Sequence, residues 1–416
     1  MGGQFVGILD GADRRNLRIV YDDEWSKNEA STPLSVSMPL TGREHSGQKV
    51  ANYLWGLLPD NDRVLARWGA AYQCSATDVF GLLRGVGSDV AGAARYLRPE
   101  ESADESVEGV IEVLGEADVA ALLREVRSDT SAWNPRARGR WSLAGAQAKI
   151  ALAYDDEAKT WGVPSGARAT THILKPAVAG LTDHDLNEHL CLRAAGSLGL
   201  RVADTRIQNF GGERALVVTR YDRVRRKGVV VRVHQEDCCQ ALGIHPERKY
   251  QTEGGPSVQD IARLLREVEV TPADADVDML LRAVAFNWLV LGTDAHAKNF
   301  SILLSGRQVR LAPLYDVASA ATYGVHPKKL RMAQKIGGEY CPASVGARDW
   351  ERLAIAARVD PERLLAAIRD MAARLPDAIA TALESMAPTA EEHVAAGRLL
   401  DALAPWIDRC RATLAG

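Results

Sequence analysis

Apolar residues recur at helical spacing through residues 62–71, 78–84, 88–96 and 117–128, and again through 187–199 with a glycine stop. Residues 5–9, 17–21, 35–40, 171–176, 202–210 and 214–221 are instead short extended runs bounded by turn residues, which predicts strands. A helix ends near Leu58, and residues 223–232 form a basic hairpin that leads into a helix start at 234–243. Beyond the turn Glu253-Gly-Gly-Pro-Ser257 the pattern is helical apart from residues 291–317, where a polar loop enters two apolar runs split by Ser305-Gly306-Arg307. Strands upstream and helices downstream predict an α+β chain with a small β lobe and a larger α lobe. The acidic stretch 99–116 reads as a solvated linker, and the basic run 135–140 as a solvated loop.

Chemistry concentrates in the loop Leu291-Gly-Thr-Asp-Ala-His-Ala-Lys-Asn-Phe-Ser301 and the hairpin behind it. Asp294, Asn299 five residues later, and Asp316 after the second strand are the set that phosphoryl transfer from Mg²⁺-ATP needs: one carboxylate for the acceptor proton, an amide oxygen and a second carboxylate for the metal. The Asp-x-x-x-x-Asn spacing by itself also fits an ordinary surface turn. A kinase therefore requires a phosphate loop and a lysine upstream. Ser142-Leu-Ala-Gly-Ala-Gln-Ala-Lys149 passes through three small residues, whose slight side chains let backbone N–H groups approach phosphate oxygens. With one glycine it also fits a hairpin kink. Lys175 emerges from the apolar run His172-Ile-Leu-Lys-Pro176 as a phosphate-binding lysine would, with Glu188 on the following helix as its expected partner; alone it would read as strand-edge decoration.

Composition narrows the class. The 416 residues carry a formal net charge of −3, so the chain as a whole offers no electrostatic reason to bind nucleic acid directly. The first residues show neither a basic nor an apolar leader segment, and the longest apolar stretch, 283–292, is too short to span a bilayer, which predicts a cytoplasmic protein with no membrane partner. Six cysteines lie scattered without C-x-x-C pairs, which argues for small buried hydrophobes rather than disulfides or zinc ligands.

These motifs, with Met38-Pro-Leu, Leu57-Leu-Pro-Asp60, Asn187-Glu188, Arg220-Tyr-Asp-Arg223, Gln235-Glu-Asp237, Gly254-Gly-Pro256 and Tyr315-Asp-Val317, occur in an order that resembles the HipA family, the serine/threonine-kinase toxins of type II toxin–antitoxin modules. The resemblance implies a bilobal protein-kinase-like fold, with an N-terminal subdomain at 1–105, a nucleotide lobe at 106–221 and a helical lobe at 222–416. It implies Asp294 as catalytic base, Asn299 and Asp316 as Mg²⁺ ligands, and Lys175 on ATP phosphates. The loop residues Ser142, Leu143, Ala144, Gly145, Ala146 and Gln147, the adenine-pocket residues Thr219, Arg220 and Tyr221, and His296 and Lys298 complete the nucleotide site. Ser142 would be autophosphorylated, drawing the loop from the site and silencing the enzyme. A helix-turn-helix antitoxin similar to HipB would carry operator DNA, and the substrate would be a translation protein, commonly an aminoacyl-tRNA synthetase. Ala295 and Ala148 depart from residues frequent in the family, at positions without an assigned role. A small-molecule phosphotransferase would share the Asp, Asn, Asp set but have little use for the first hundred residues; a silent kinase fold acting as co-repressor would not need Lys175, Asp294, Asn299 and Asp316 intact.

Overall fold

Antiparallel pairing organises the start of the chain: β1 (Gly7–Asp10), β2 (Arg18–Tyr21) and β3 (Glu44–Ser46) form a three-stranded sheet in that order. The short helix α1 (Asp23–Lys27) and then α2 (Gln48–Trp55), α3 (Asp62–Tyr72) and α4 (Val79–Val86) follow, burying Tyr53, Leu54, Val64, Trp68, Leu82 and Leu83 with Ile19, Tyr21 and Met38 in one core. The Asn61 side chain accepts from the N–H groups of Arg63 and Val64, an N-cap that stabilises α3 by about 1 kcal/mol. The computed structural model describes residues 1–101, 109–133, 140–268 and 274–415.

A second sheet takes β4 (Ile111–Leu114), β5 (Ile150–Asp155), β6 (Thr160–Pro164), β7 (His172–Pro176), β8 (Thr205–Phe210) and β9 (Glu213–Thr219) in the order β4-β6-β5-β7-β9-β8. Against it lies α5 (Glu116–Ser128), whose Val119, Leu123 and Val126 share a core with Ile150, Leu152, Leu174 and Val217. The hairpin of β10 (Arg223–Arg226) and β11 (Val229–Arg232) precedes β12 (His234–Asp237) and a single helical turn, Cys238–Ala241. Apart from the first three residues of β8, these parts belong to one compact unit made of residues 1–179, 208–247 and 303–308.

The other unit comprises 180–207, 248–302 and 309–416. Its helices are His184–Ser197, Val258–Val268, Asp274–Leu289, Ala347–Ala356, Pro361–Glu384 and Ala390–Ala415. Trp288 is its central core side chain, meeting Trp350 and Trp406 edge to face at 5.5 and 5.9 Å, and the Trp406 indole donates to the Trp288 carbonyl. Helix Asp274–Leu289 stops because Leu291 turns left-handed (φ 54) and the Gly292 N–H returns to the Asn287 carbonyl at 2.7 Å. A Cβ at residue 292 would lie 2.5 Å from Asn287 Oδ1, so a larger residue there would have to displace the Asn287 side chain.

Four expectations change. Residues 88–96 are not helical: Asp89 bridges to Trp141, and the Val90 carbonyl accepts from two arginines, so this backbone hydrogen-bonds outward instead of along a helix. The acidic linker ends in a strand, β4, paired with β6; its residues 102–108 lie outside the described residues, as do 134–139 of the basic run. Residues 35–40 form a turn closed by a Ser35–Met38 bridge rather than a strand, and 234–237 form a strand before the short helix.

Candidate functional site

The loop that leaves Leu291 is built around the Asp294 carbonyl, which accepts from the His296 N–H at 2.7 Å and from Asn299 Nδ2 at 2.9 Å. Residues 297–299 make one 3₁₀ turn, and Asn299 is left with its amide oxygen as an acceptor. The hairpin strands Ser301–Ser305 and Gln308–Leu311 return the chain, and Tyr315 ties the far end back: its hydroxyl donates to the Lys298 carbonyl at 2.6 Å and lies 2.6 Å from Ser301 Oγ. Asp316 follows in the left-handed region (φ 60), a conformation costing about 1–3 kcal/mol that persists where neighbours fix it. They do so here: Leu314 pairs with Arg201 and Ala203, Ala320 donates to the Leu291 carbonyl, and the Asn187 amide holds both Ser319 backbone groups at 2.8 Å.

His296 reports the charge of this region. Burial pushes its imidazole down to about 4, against the pull of the Asp294 and Asp316 carboxylates, so the ring is neutral near pH 7, and its Nδ1 is buried with no hydrogen-bond partner. Both carboxylates are thus within electrostatic reach of one ring. Asn299 Oδ1 and the Asp316 carboxylate are two hard oxygen donors, the contribution a protein makes to Mg²⁺ when phosphates and water complete the octahedron.

In the first unit, the backbone of residues 140–145 hydrogen-bonds along the N-terminal subdomain: Asp89 N to Arg140 O at 3.2 Å, Ser142 N to Asp89 O at 3.0 Å, and Asp60 N to Gly145 O at 3.0 Å. Ser142 has no exposed surface and donates its hydroxyl to the Leu57 carbonyl at 2.7 Å. Leu143 is buried beside Trp141, and Ala144 accepts from Lys149 Nζ at 2.6 Å. Gly145 takes φ 103, where a Cβ would meet Lys149 Nζ at 2.7 Å, so glycine is required at the bend; Ala146 follows it, and Gln147 buries an Nε2 without a partner. That orphaned donor fits a phosphate oxygen. Lys175 is a buried side chain of β7, between β5 and β9.

Thr219 ends β9, and the Tyr221 hydroxyl bonds Gln235. The Arg220 side chain, by contrast, is consumed within a buried ionic cluster. Its guanidinium donates to Asp222, Thr170 and the Val90 carbonyl, while Arg223 and Arg232 reach Asp89, which also accepts from Thr170 N and Oγ1. No sequence signal pointed to Asp89 as the centre of this cluster, because its partners lie more than 80 positions away. Tyr250 was likewise without a motif, yet its hydroxyl donates to Asp294 Oδ1 at 2.5 Å.

Comparison with known proteins places these features in a family. Residues 1–97 match the family model of the HipA N-terminal domain, and residues 141–379 match that of the HipA-like C-terminal domain. The chain belongs to the HipA family. Y4mE of Sinorhizobium fredii is 37% identical over 388 residues, covering 92% of this chain and 90% of its own. The serine/threonine-protein kinase toxin HipA of Shewanella oneidensis is 28% identical over 414 residues, covering 94% and 90%. The solved complex of Shewanella oneidensis HipA, HipB and operator DNA superposes with a TM-score of 0.85 at 26% identity, covering 100% of this HipA-family chain and 96% of that one. The fold is therefore the α+β, kinase-like HipA fold. No helix among the described residues is long and apolar enough to cross a membrane.

Proposed function

We propose that this HipA-family chain is an ATP- and Mg²⁺-dependent serine/threonine-protein kinase acting as the toxin of a toxin–antitoxin module. The observation that carries the proposal is the Asp294, Asn299, Asp316 set, held by one loop and its hairpin in a protein whose relatives include a kinase toxin. Asn299 and Asp316 would hold the metal, which neutralises phosphate charge when bound. Asp294 receives the acceptor's proton. Lys175, the loop 142–147, His296 and Lys298 would take the phosphates, and Thr219 and Tyr221 the base, with Arg220 holding Thr219 and Tyr221 in place through its cluster. In this division residues 1–105 hold a partner or dock substrate, 106–221 form the nucleotide lobe and 222–416 the helical lobe.

Incubation of the purified chain with γ-labelled ATP and cell lysate tests the activity. A labelled protein band, absent with Asp294→Asn, is expected; label confined to small metabolites would make the enzyme a small-molecule phosphotransferase instead. The same reaction should place phosphate on Ser142. Because that hydroxyl is buried on the Leu57 carbonyl, its modification requires the segment to leave the N-terminal subdomain, and mass spectrometry finding residues 135–150 unmodified in active enzyme would refute it. The protein substrate belongs to translation, with an aminoacyl-tRNA synthetase the leading class.

The partner in this proposal is a HipB-like helix-turn-helix antitoxin, as the related complex contains HipB and operator DNA. With a net charge of −3, the chain alone should bind duplex DNA poorly, since such affinity depends on many phosphate contacts. Tight, salt-sensitive binding by the isolated chain in a gel shift would show that it contacts the operator without an antitoxin.

A further inference from the structure

Tyr250 is held against the catalytic loop from both sides. On one side the Ala297 N–H donates to the Lys249 carbonyl at 3.2 Å; on the other, Gln251 N donates to Ala333 O at 3.2 Å while Ala333 N donates to Thr293 O at 2.9 Å. Residues immediately before and after Tyr250 are thus tied, directly or through Ala333, to residues on either side of Asp294. The segment is also closed on itself, since the N–H groups of Glu253 and Gly255 both return to the Tyr250 carbonyl, at 3.0 and 2.9 Å. A Cβ at Gly255 would stand 2.1 Å from the Arg248 carbonyl oxygen, so this fold-back requires the second glycine of the Gly254-Gly255 pair.

The tyrosine ring stands edge-on to His296 at 5.1 Å and 84°. Its hydroxyl meets Asp294 Oδ1 at 2.5 Å, whereas Oδ2 carries no hydrogen bond among the described residues. The backbone of Asp294 is fixed through its carbonyl, but its carboxylate turns about its own side-chain bonds unless something holds it. We infer that Tyr250 is a positioning residue for phosphoryl transfer: by donating to Oδ1 it sets the plane of the Asp294 carboxylate, so that Oδ2 faces the acceptor hydroxyl and takes its proton as the oxygen attacks phosphorus. This rests on the kinase function proposed above. A charge-assisted O–H···O⁻ bond of this length is about twice as strong as a neutral one, enough to select one carboxylate orientation. The phenol itself does not touch the substrate.

Tyr250→Phe keeps the ring and removes the hydroxyl. Initial rates of label transfer from γ-labelled ATP to lysate protein, measured across ATP concentrations, should show kcat reduced about 10–100-fold, the size of loss expected from misorienting a reacting group. The KM for ATP and the thermal midpoint should stay at the wild-type values, a split that mere structural damage would not give. Wild-type rates in Tyr250→Phe, with Asp294→Asn silent, would overturn the role of Tyr250 and leave the kinase proposal standing. Faster transfer would also overturn it, showing the phenol to be an obstruction that substrates displace. Should the wild-type chain label no protein at all, the proposed function fails and this inference with it.

Discussion

If the proposed roles hold, Asp294→Asn and Asp316→Asn should each abolish phosphoryl transfer, and calorimetry with Mg²⁺ and ATP should separate them: nucleotide affinity is expected to fall markedly in Asp316→Asn and little in Asp294→Asn. Loss of a general base removes a contribution of roughly 10²–10⁴-fold that exists only while the proton moves. Ground-state binding is untouched by that loss, and the Asp294 carbonyl, which organises the loop by accepting from His296 and Asn299, is a backbone group that the substitution keeps. In the proposed site Asp316 would instead hold the metal, whose charge would offset that of the phosphates both before and during transfer. Equal weakening of ATP binding in both variants, or the reverse order, would mean that the two carboxylates exchange roles.

Asp89→Ala destabilises the fold by roughly 3–5 kcal/mol, the cost of leaving buried charge without its partner. Asp89 and Asp222 face Arg220, Arg223 and Arg232, and each of these five side chains is at most 7% exposed. Removing Asp89 takes away the carboxylate that Arg220, Arg223 and Arg232 share, and deprives the Thr170 N–H and hydroxyl of their acceptor. Burial alone would raise the Asp89 carboxyl, but the guanidinium groups of Arg223, Arg220 and Arg232 outweigh it and hold the group far below the usual carboxylate range. Its folded pKa is thus lower than its unfolded one near 3.9, so the stability it contributes is present above about pH 4 and is lost as the pH falls below that. Urea unfolding at neutral pH measures the loss. A midpoint unchanged from wild type would show that solvent reaches and compensates the cluster.

What the sequence made legible follows from the range over which each signal acts. Asp294, Asn299 and Asp316 stand within 23 positions on a loop and hairpin whose turn residues declare themselves, so the loop and its hairpin were readable from the local chain, and the Asn299 side chain does bond the Asp294 carbonyl. The helices at 62–72 and 79–86 were readable because one amphipathic stripe and one cap suffice to specify them. Residues 88–96 carry Val90, Ala93 and Ala94 at spacing that suits a helix equally well, yet Asp89 and Val90 serve distant arginines, and periodicity contains no term for such partners. The strand Ile111–Leu114 was hidden by acidic neighbours; Val113 is exposed on it, so the strand lacks the apolar density of a core element. Tyr250 lies 44 positions from Asp294, and a single tyrosine between a lysine and a glutamine gives no pattern to detect.

The pairing of residues 140–145 along residues 57–60 and 89 bears on how such a protein can change over generations. The two stretches matched by separate family models, 1–97 and 141–379, are joined by hydrogen bonds from Asp60 and Asp89 to the segment at the start of the second. A recombination event that grafted a foreign first stretch onto this second one would have to bring backbone with the same shape at both places, or the segment 140–145 would lose its seat. The two stretches should therefore be inherited as one piece.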